Sequence, residues 1–575
     1  MTTEHFIPGK DASLESTIET MKAKLAKRGF VLNESSLLHE VDGIWSTHMK
    51  DNECPMLFSN GKGATELAAR ASAYGEFFER LGTHYFWTHF HLGETRANRP
   101  FVHYPQERWF APQKGKAKGK WPKEMLNPEL HKFYNPEGTI EAEVLVDLNS
   151  GNVARGICAL PYKRLKDGAE TFIPVNIIGN LYVSNGMAAG NTMMEARSQA
   201  LSEIFERAIK YRIISEGLCL PEVPDDVISR FPNIRAGIDG LRKAGFGILV
   251  KDASLGGKYP VMNVTLVHPK DQGIFSSYGA HPRFEIALER AMIELLQGRA
   301  LDSLEGFPEP GFDMDEINAV NNLEIHFVDS SGVISWNFMG DTPDFEFVDW
   351  NFSTTTQEDY DWLVNAIHAE GKDIYVADFS EQGAYSCRIL VPGMSEIYPV
   401  EDLEWENNSV GNLLRPLLVR LHDLTEEECA GLLEELQTMN LADERPLWEI
   451  LGLAMPDGTP WKQLRIGELK TLLALAIGDE DEVLEGCDWI HHFADLAPAR
   501  RLVYRCIESM LELEDDVDNY RRSLTLLYGE ATLRQAEALL NRTERFFGLE
   551  TLGTDMQGSK MHQTLLAAYD KLFAA

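Results

Sequence analysis

Three stretches of the chain repeat one arrangement of acids. Ser72, Glu76, Glu79 and Arg80 recur as Gln199, Glu203, Glu206 and Arg207, each at an offset of 127 residues, and Phe78 is matched by Phe205 at the same offset. A weaker third copy places Arg290, Glu294 and Gln297 at the same spacing. The shared pattern is polar-x-x-x-Glu-x-x-Glu/Gln. On a helix turning about 100° per residue, positions i, i+4 and i+7 fall within an arc of roughly 60°, so each copy puts its polar residue and its acids on one face. Glu195 joins that face in the second copy. If the copies pack with these faces together, Glu76, Glu79, Glu195, Glu203, Glu206 and Glu294 converge. Two unit charges 4 Å apart repel by about 4 kcal/mol at an effective dielectric of 20, so such a cluster requires cations. Oxygen-only ligands suit hard divalent ions, and Mg²⁺ is commonly shared between carboxylates and phosphate oxygens. The chemistry this points to is a Mg²⁺–nucleotide site, with Arg207 and Arg290 as forks for phosphate and Ser72 and Gln199 as neutral hydrogen-bonding groups.

The elements that position these residues share a common entry. Apolar runs at 56–58, 177–183 and 274–278 read as strands, the glycine-containing segments 60–63, 185–190 and 279–282 read as turns, and helical spacing begins after each. Glycine turns leading into helix N-termini can receive phosphate oxygens. Leu67, Tyr74, Phe78, Leu81 and Tyr85 occupy the face opposite the first acids, as a helix packed on a sheet requires. The competing reading is that the acids lie on ordinary solvated helix faces. Repetition weighs against it, because a repeat kept only for folding would retain its apolar positions rather than its polar spacing.

The rest of the chain narrows the field. Its 575 residues exceed what one core usually serves, and 44% hydrophobic with 25% charged residues is an ordinary globular composition. The 89 acidic against 54 basic residues give a net charge of −35, which excludes general nucleic-acid binding. Nothing near Met1 has the form of a secretory signal and no apolar run approaches the roughly 20 residues of a membrane span, so a cytoplasmic protein is expected. Seven cysteines without a Cys-x-x-Cys pair read as reduced packing residues, with neither a zinc site nor a cysteine-held iron–sulfur cluster. P-loop, dinucleotide-binding, zincin and hydrolase-elbow motifs are absent, and Lys62 in Asn60-Gly-Lys-Gly63 reads as a turn residue. His84, His89, His91, His491 and His492 read as packing or surface residues, Arg388 as an anion contact or, more simply, an exposed residue on an ordinary strand, and Lys114 to Lys120 as a solvated loop. Past residue 408 glycine thins and helical spacing takes over. Residues 464–493 and 498–514 read as successive helices resembling a helical-hairpin repeat of about 34 residues. The expected architecture is α+β, with domains at 1–407 and 408–575.

The words Phe6-Ile-Pro-Gly-Lys10, Asn60-Gly-Lys-Gly63, Gly75-Glu-Phe-Phe-Glu-Arg80, Asn180-Leu-Tyr-Val-Ser-Asn-Gly-Met187, Glu294-Leu-Leu-Gln-Gly-Arg299 and Val391-Pro-Gly-Met394 resemble the YcaO family over essentially the whole chain. The resemblance implies a YcaO-type ATP-binding domain that holds Mg²⁺ on its acidic helices. It adds Lys10 and Asn191 to Ser72, Gln199, Arg207 and Arg290 as nucleotide contacts. It implies activation of a peptide amide by phosphoryl transfer from ATP, and names no catalytic nucleophile. It also implies a tetratricopeptide-like C-terminal region serving dimerisation or partner docking. Among stand-alone members it implies an accessory role beside the radical-SAM methylthiotransferase RimO in β-methylthiolation of a small-subunit ribosomal protein. Two alternatives are a nucleotide-gated scaffold and an azoline-forming cyclodehydratase. That last branch typically ends in a proline-rich segment, whereas this chain ends Tyr569-Asp-Lys-Leu-Phe-Ala-Ala575.

Overall fold

The computed structural model describes residues 4–573 apart from 112, 114–117, 148–152, 297, 401–405 and 493–495. Most of the Lys114–Lys120 stretch and Gln297 therefore lie outside the described residues. The first sheet is an antiparallel run of β1 (Leu32–Val41), β2 (Ile44–Asp51) and β3 (Phe58–Gly63). The largest combines β4 (Arg108–Phe110), β5 (Ile157–Arg164), β6 (Glu170–Pro174) and β7 (Met187–Gly190) with two later strands. The third sheet is β8 (Gly247–Asp252), β9 (Val261–Val267) and β10 (Ile274–Ala280). The strands that complete the large sheet are β11 (Tyr375–Phe379) and β12 (Tyr385–Leu390), giving the order β4-β5-β11-β12-β7 with β6 on β5.

Helices α1 (Glu66–Gly82), α2 (Met193–Glu216) and α3 (Phe284–Glu294) follow β3, β7 and β10 directly. Thr65 and Thr192 start the first two, their side chains accepting from the backbone N–H of Ala68 and Glu195. Each helix packs on the strand before it and on the strand before the next copy: α1 on β3 and β7, α2 on β7 and β10, α3 on β10 and β3. The contacts close a ring of three strand–helix units.

The segments read as glycine turns are largely strand. Residues 60–63 lie in β3, 187–190 form β7 and Gly279 lies in β10. Their glycines mostly serve close approach; Gly186, with φ +74°, does turn the chain into β7. A Cβ on Gly61 would stand 2.0 Å from the Ala69 carbonyl oxygen, and one on Gly279 would stand 2.4 Å from that of Ala287, so each helix lies against bare strand backbone. The apolar run 177–183 is also not a strand. It continues the short helix Val175–Ile177 as a π-turn over Ile178–Tyr182; a mostly apolar run does not separate a buried strand from a buried helical turn. Of the run 56–58 only Phe58 is strand, Met56 and Leu57 lying in the turn before β3.

After Glu406 the chain is helical, and residues from Val410 to Met556 share one core. The run read as 464–493 divides into α4 (Ile466–Ile477) and α5 (Glu480–His492) at Gly478, whose φ of +80° ends the first helix, and α6 (Pro498–Leu511) packs on α5. The last helix, α7 (Lys560–Asp570), leaves this core. Its Leu565, Leu566 and Tyr569 join Phe77, Leu81 and Trp87 behind α1, and Trp87 Nε1 donates to the Leu565 carbonyl (3.1 Å). Among the described residues no helix is long and apolar enough to cross a membrane, and all seven cysteines are buried and unpaired with one another.

Candidate functional site

The ring turns the acid faces of its helices toward one another, and a basic side chain meets most of the acids. Arg80 donates through Nε and Nη2 to Glu76 Oε1 (3.1 and 2.8 Å), while the Asn60 N–H donates to Glu76 Oε2 (3.1 Å). Arg207 Nη1 lies 2.8 Å from Glu203 Oε1 and donates to Asn185 Oδ1 (3.2 Å). Lys62 reaches across from β3 to Glu294 on α3. These six side chains are between 19% and 27% exposed, which makes the site enclosed but reachable from solvent.

Glu79 and Glu206 differ from the rest: among the described residues their carboxylates make no hydrogen bond or ion pair. Burial, reinforced by the Glu203 charge and opposed by Arg80, pushes Glu79 well above the ordinary carboxyl value. Burial also raises Glu203, against the pull of Arg207. Burial lowers Lys62 and Arg290, and Glu206 is the largest opposing influence on both. Lys210, one turn past Glu206, is pushed down to about 8 by burial and donates to the His326 carbonyl and to Ser330 Oγ (2.9 Å). Glu76, Glu79, Glu203, Glu206 and Glu294 thus form one electrostatic unit with Lys62, Arg80, Arg207 and Arg290.

Glu195 stands apart. It sits eight residues before Glu203, a rise of about 12 Å along α2, and is 4% exposed. It pairs with Lys10 Nζ (3.2 Å) and accepts from the Asp11 N–H (3.1 Å) and Asn191 Nδ2 (3.1 Å). Between the two groups Arg290 donates to Gln199 and to the Ala280 carbonyl (2.8 Å). Ser72 is half-buried one turn before Glu76. Among the described residues no three acidic, histidine or cysteine side chains are placed to hold a metal ion as they stand; the acids turn to their basic partners. The donor set nevertheless fits a hard cation. It is built of oxygens alone, and two of its acids, Glu79 and Glu206, make no ion pair among the described residues.

Three residues stand differently from their sequence readings. Lys62 lies between Gly61 and Gly63, which face α1; strand alternation aims Lys62 the other way, and that period of two was the available signal. Arg80 is visible as a member of the repeat, but its pairing with Glu76 is not. Arg388, expected to be exposed, is 5% exposed and donates through Nη2 to the carbonyls of Ile178 (3.3 Å) and Val183. No local pattern marks it, because both partners lie some two hundred residues away.

Comparison with known proteins adds context to this geometry. A family model described as YcaO cyclodehydratase, ATP- and Mg²⁺-binding, matches residues 60–395, and one described as the YcaO cyclodehydratase C-terminal domain matches 411–575. The chain is 46% identical over 578 residues to the ribosomal protein S12 methylthiotransferase accessory factor YcaO of Escherichia coli, covering 99% of this chain and 98% of that one. It is 45% identical over 583 residues to an uncharacterized protein of Haemophilus influenzae, covering 100% and 98%. Among solved structures, YcaO from Methanopyrus kandleri bound with AMPPCP and Mg²⁺ aligns at 17% identity over 68% of this chain and 95% of that one, with a TM-score of 0.41.

Proposed function

This chain belongs to the YcaO family, and from that premise we propose that it is a Mg²⁺-dependent, ATP-using protein assisting β-methylthiolation of a small-subunit ribosomal protein beside a methylthiotransferase. Bound ATP would supply a phosphoryl group that makes a peptide amide oxygen a good leaving group, with Mg²⁺ offsetting the phosphate charge. Glu76, Glu79, Glu203, Glu206 and Glu294 hold the metal side of the site. Lys10, Asn191 and Glu195 form its far end, with Lys10 directed to nucleotide and Glu195 to metal. Gln199, Ser72, Arg207 and Arg290 orient the nucleotide between the two ends. Lys62, Arg80 and Arg207 neutralise the acids until the ligand arrives, then release them.

The observation that carries this reading is the pair Glu79 and Glu206, enclosed acids without a protein cation of their own. Calorimetric titration of the whole chain with ATP and Mg²⁺ tests it. Binding is expected, and Glu79→Gln should weaken it roughly 10–100-fold while leaving the fold intact, since Glu79 is the ion-pair partner of no described basic residue. A folded protein that gives no heat overturns the reading.

A second reading, a nucleotide-gated scaffold, draws support from α7, which docks on the back of the helix that carries Glu76 and Glu79. Turnover separates the two. Steady ATP hydrolysis with partner and peptide present favours the enzyme, and binding without hydrolysis favours the scaffold.

A further inference from the structure

Just beyond α1, a cavity of about 410 Å³ opens between the sheet-bearing half of the chain and the helical region. Its walls are residues 88–90, the segment 175–183 and residues 445–453. A recess of about 50 Å³ shares Thr88, Phe90, His103, Val175 and Gly179 with it and extends to His84 and Arg388.

The wall at 175–183 is unusual backbone. The π-turn Ile178–Tyr182 ends at Val183 with φ 49° and ψ −112°, a region a β-branched residue rarely enters. Isolated π-turns and strained residues concentrate where a ligand is held. Arg388 secures this turn through the Ile178 and Val183 carbonyls.

The polar groups around the cavity are incompletely matched. Arg388 makes no ion pair among the described residues, and its buried Nε has no hydrogen-bond partner. Asn176 Oδ1 and His84 Nε2 are also buried without partners. His84 Nδ1 meets the His103 carbonyl, so its proton sits on Nδ1 and Nε2 is an acceptor. Asp147 and Glu449 are the acids lining the two spaces; Arg388, Arg445 and His103, which Asp147 faces at 2.6 Å, are the basic groups. The two acids are balanced by the two arginines, which in a chain of net charge −35 makes this a less acidic region than the surface at large. The charge of Glu79 acts on Arg388 but forms no ion pair with it, so the unpartnered Nε is a charged donor that a carboxylate in the recess can take up. The larger space accommodates about three residues of extended peptide, with Phe90, Trp448 and Ile450 as apolar walls.

We propose that this junction cavity binds a carboxylate-bearing peptide segment, its carboxylate in the recess against Arg388 and its backbone amides against Asn176. Thr83 and His84 line the recess directly after α1, so the segment lies about one helical turn beyond Glu79. The proposal does not depend on the nucleotide reading, and its test uses neither nucleotide nor metal. The full chain is titrated with the N-acetylated, C-amidated tripeptides Ala-Asp-Ala and Ala-Asn-Ala. The aspartate peptide is expected to bind roughly 10–100-fold more tightly. Arg388→Met should remove that preference, and Asn176→Ala should weaken the aspartate peptide by roughly fivefold. Should Arg388→Met fail to fold, the peptide pair and Asn176→Ala decide alone. Equal binding of the two peptides overturns the proposal, as does unchanged affinity in Asn176→Ala, or absence of heat up to about 5 mM peptide.

Discussion

The segment Glu482-Val-Leu-Glu485 on α5 has the same form as Glu76-Phe-Phe-Glu79 and Glu203-Ile-Phe-Glu206: two acids three apart, enclosing two apolar residues. On α5 the acids remain at the surface, with Glu485 exposed and Glu482 half-buried, while Val483 turns into the helical core. On α1 and α2 the helix is covered on more than one side. Phe78 and Phe205 pack into their cores, and the acid face meets the other members of the ring. The spacing therefore makes an acid face, and what that face meets decides whether it is a solvated stripe or a charged site.

The largest expected effect tests where the two regions join. Leu565 is fully buried against the residues behind α1, so Leu565→Ala should cost about 2–5 kcal/mol, read as a lowered denaturant midpoint. A change below about 0.5 kcal/mol would show that α7 does not support α1.

Next come the inward acids. Glu79→Gln should lower the affinity for ATP with Mg²⁺ by about 1.5–3 kcal/mol in titration, whereas Glu485→Gln on the outward copy should leave it unchanged. Equal effects would erase the contrast between the two faces.

A pH series sharpens the same contrast. Glu79 is raised in the folded chain, so above its ordinary value of 4.5 the native state binds more protons than the unfolded one. By linkage the unliganded protein then loses stability as pH rises through the folded value, by up to about 1.4 kcal/mol per pH unit while the difference lasts. Urea midpoints across that range should fall with pH, and should fall less in Glu79→Gln. Added Mg²⁺ should flatten the curve, because it favours the ionised acid.

The smallest expected effect concerns Lys62. If it holds Glu294 and faces Glu206 in place of a metal, Lys62→Met should destabilise the unliganded chain yet tighten Mg²⁺ alone by a few-fold, about 0.5–1 kcal/mol. Weaker Mg²⁺ binding in the folded variant would assign Lys62 to the ligand-bound site instead.

Much of the helical content was legible in residue patterns. The polar faces of α1 and α2, the start of α3 and the helices after residue 408 all follow from residue spacing. The glycines were visible too, but their role was not. A glycine that begins a turn and one that lets a helix lie on a strand look identical in one dimension, and only the 2.0 Å approach at Gly61 distinguishes them. The run 177–183 was misread for a related reason, since burial on all sides removes the periodicity that separates strand from helix.

The amino-acid sequence by itself determined that acids would line single faces of repeated helices, because residue order fixes the angle between side chains on one helix. Only the tertiary structure decided which of those faces turned inward, that Glu195 paired with Lys10 rather than joining the other acids, and that Lys62 and Arg388 entered enclosed sites. Those outcomes depend on contacts between segments up to several hundred residues apart. The charge a carboxylate carries there is set by desolvation and by neighbours that no local spacing specifies.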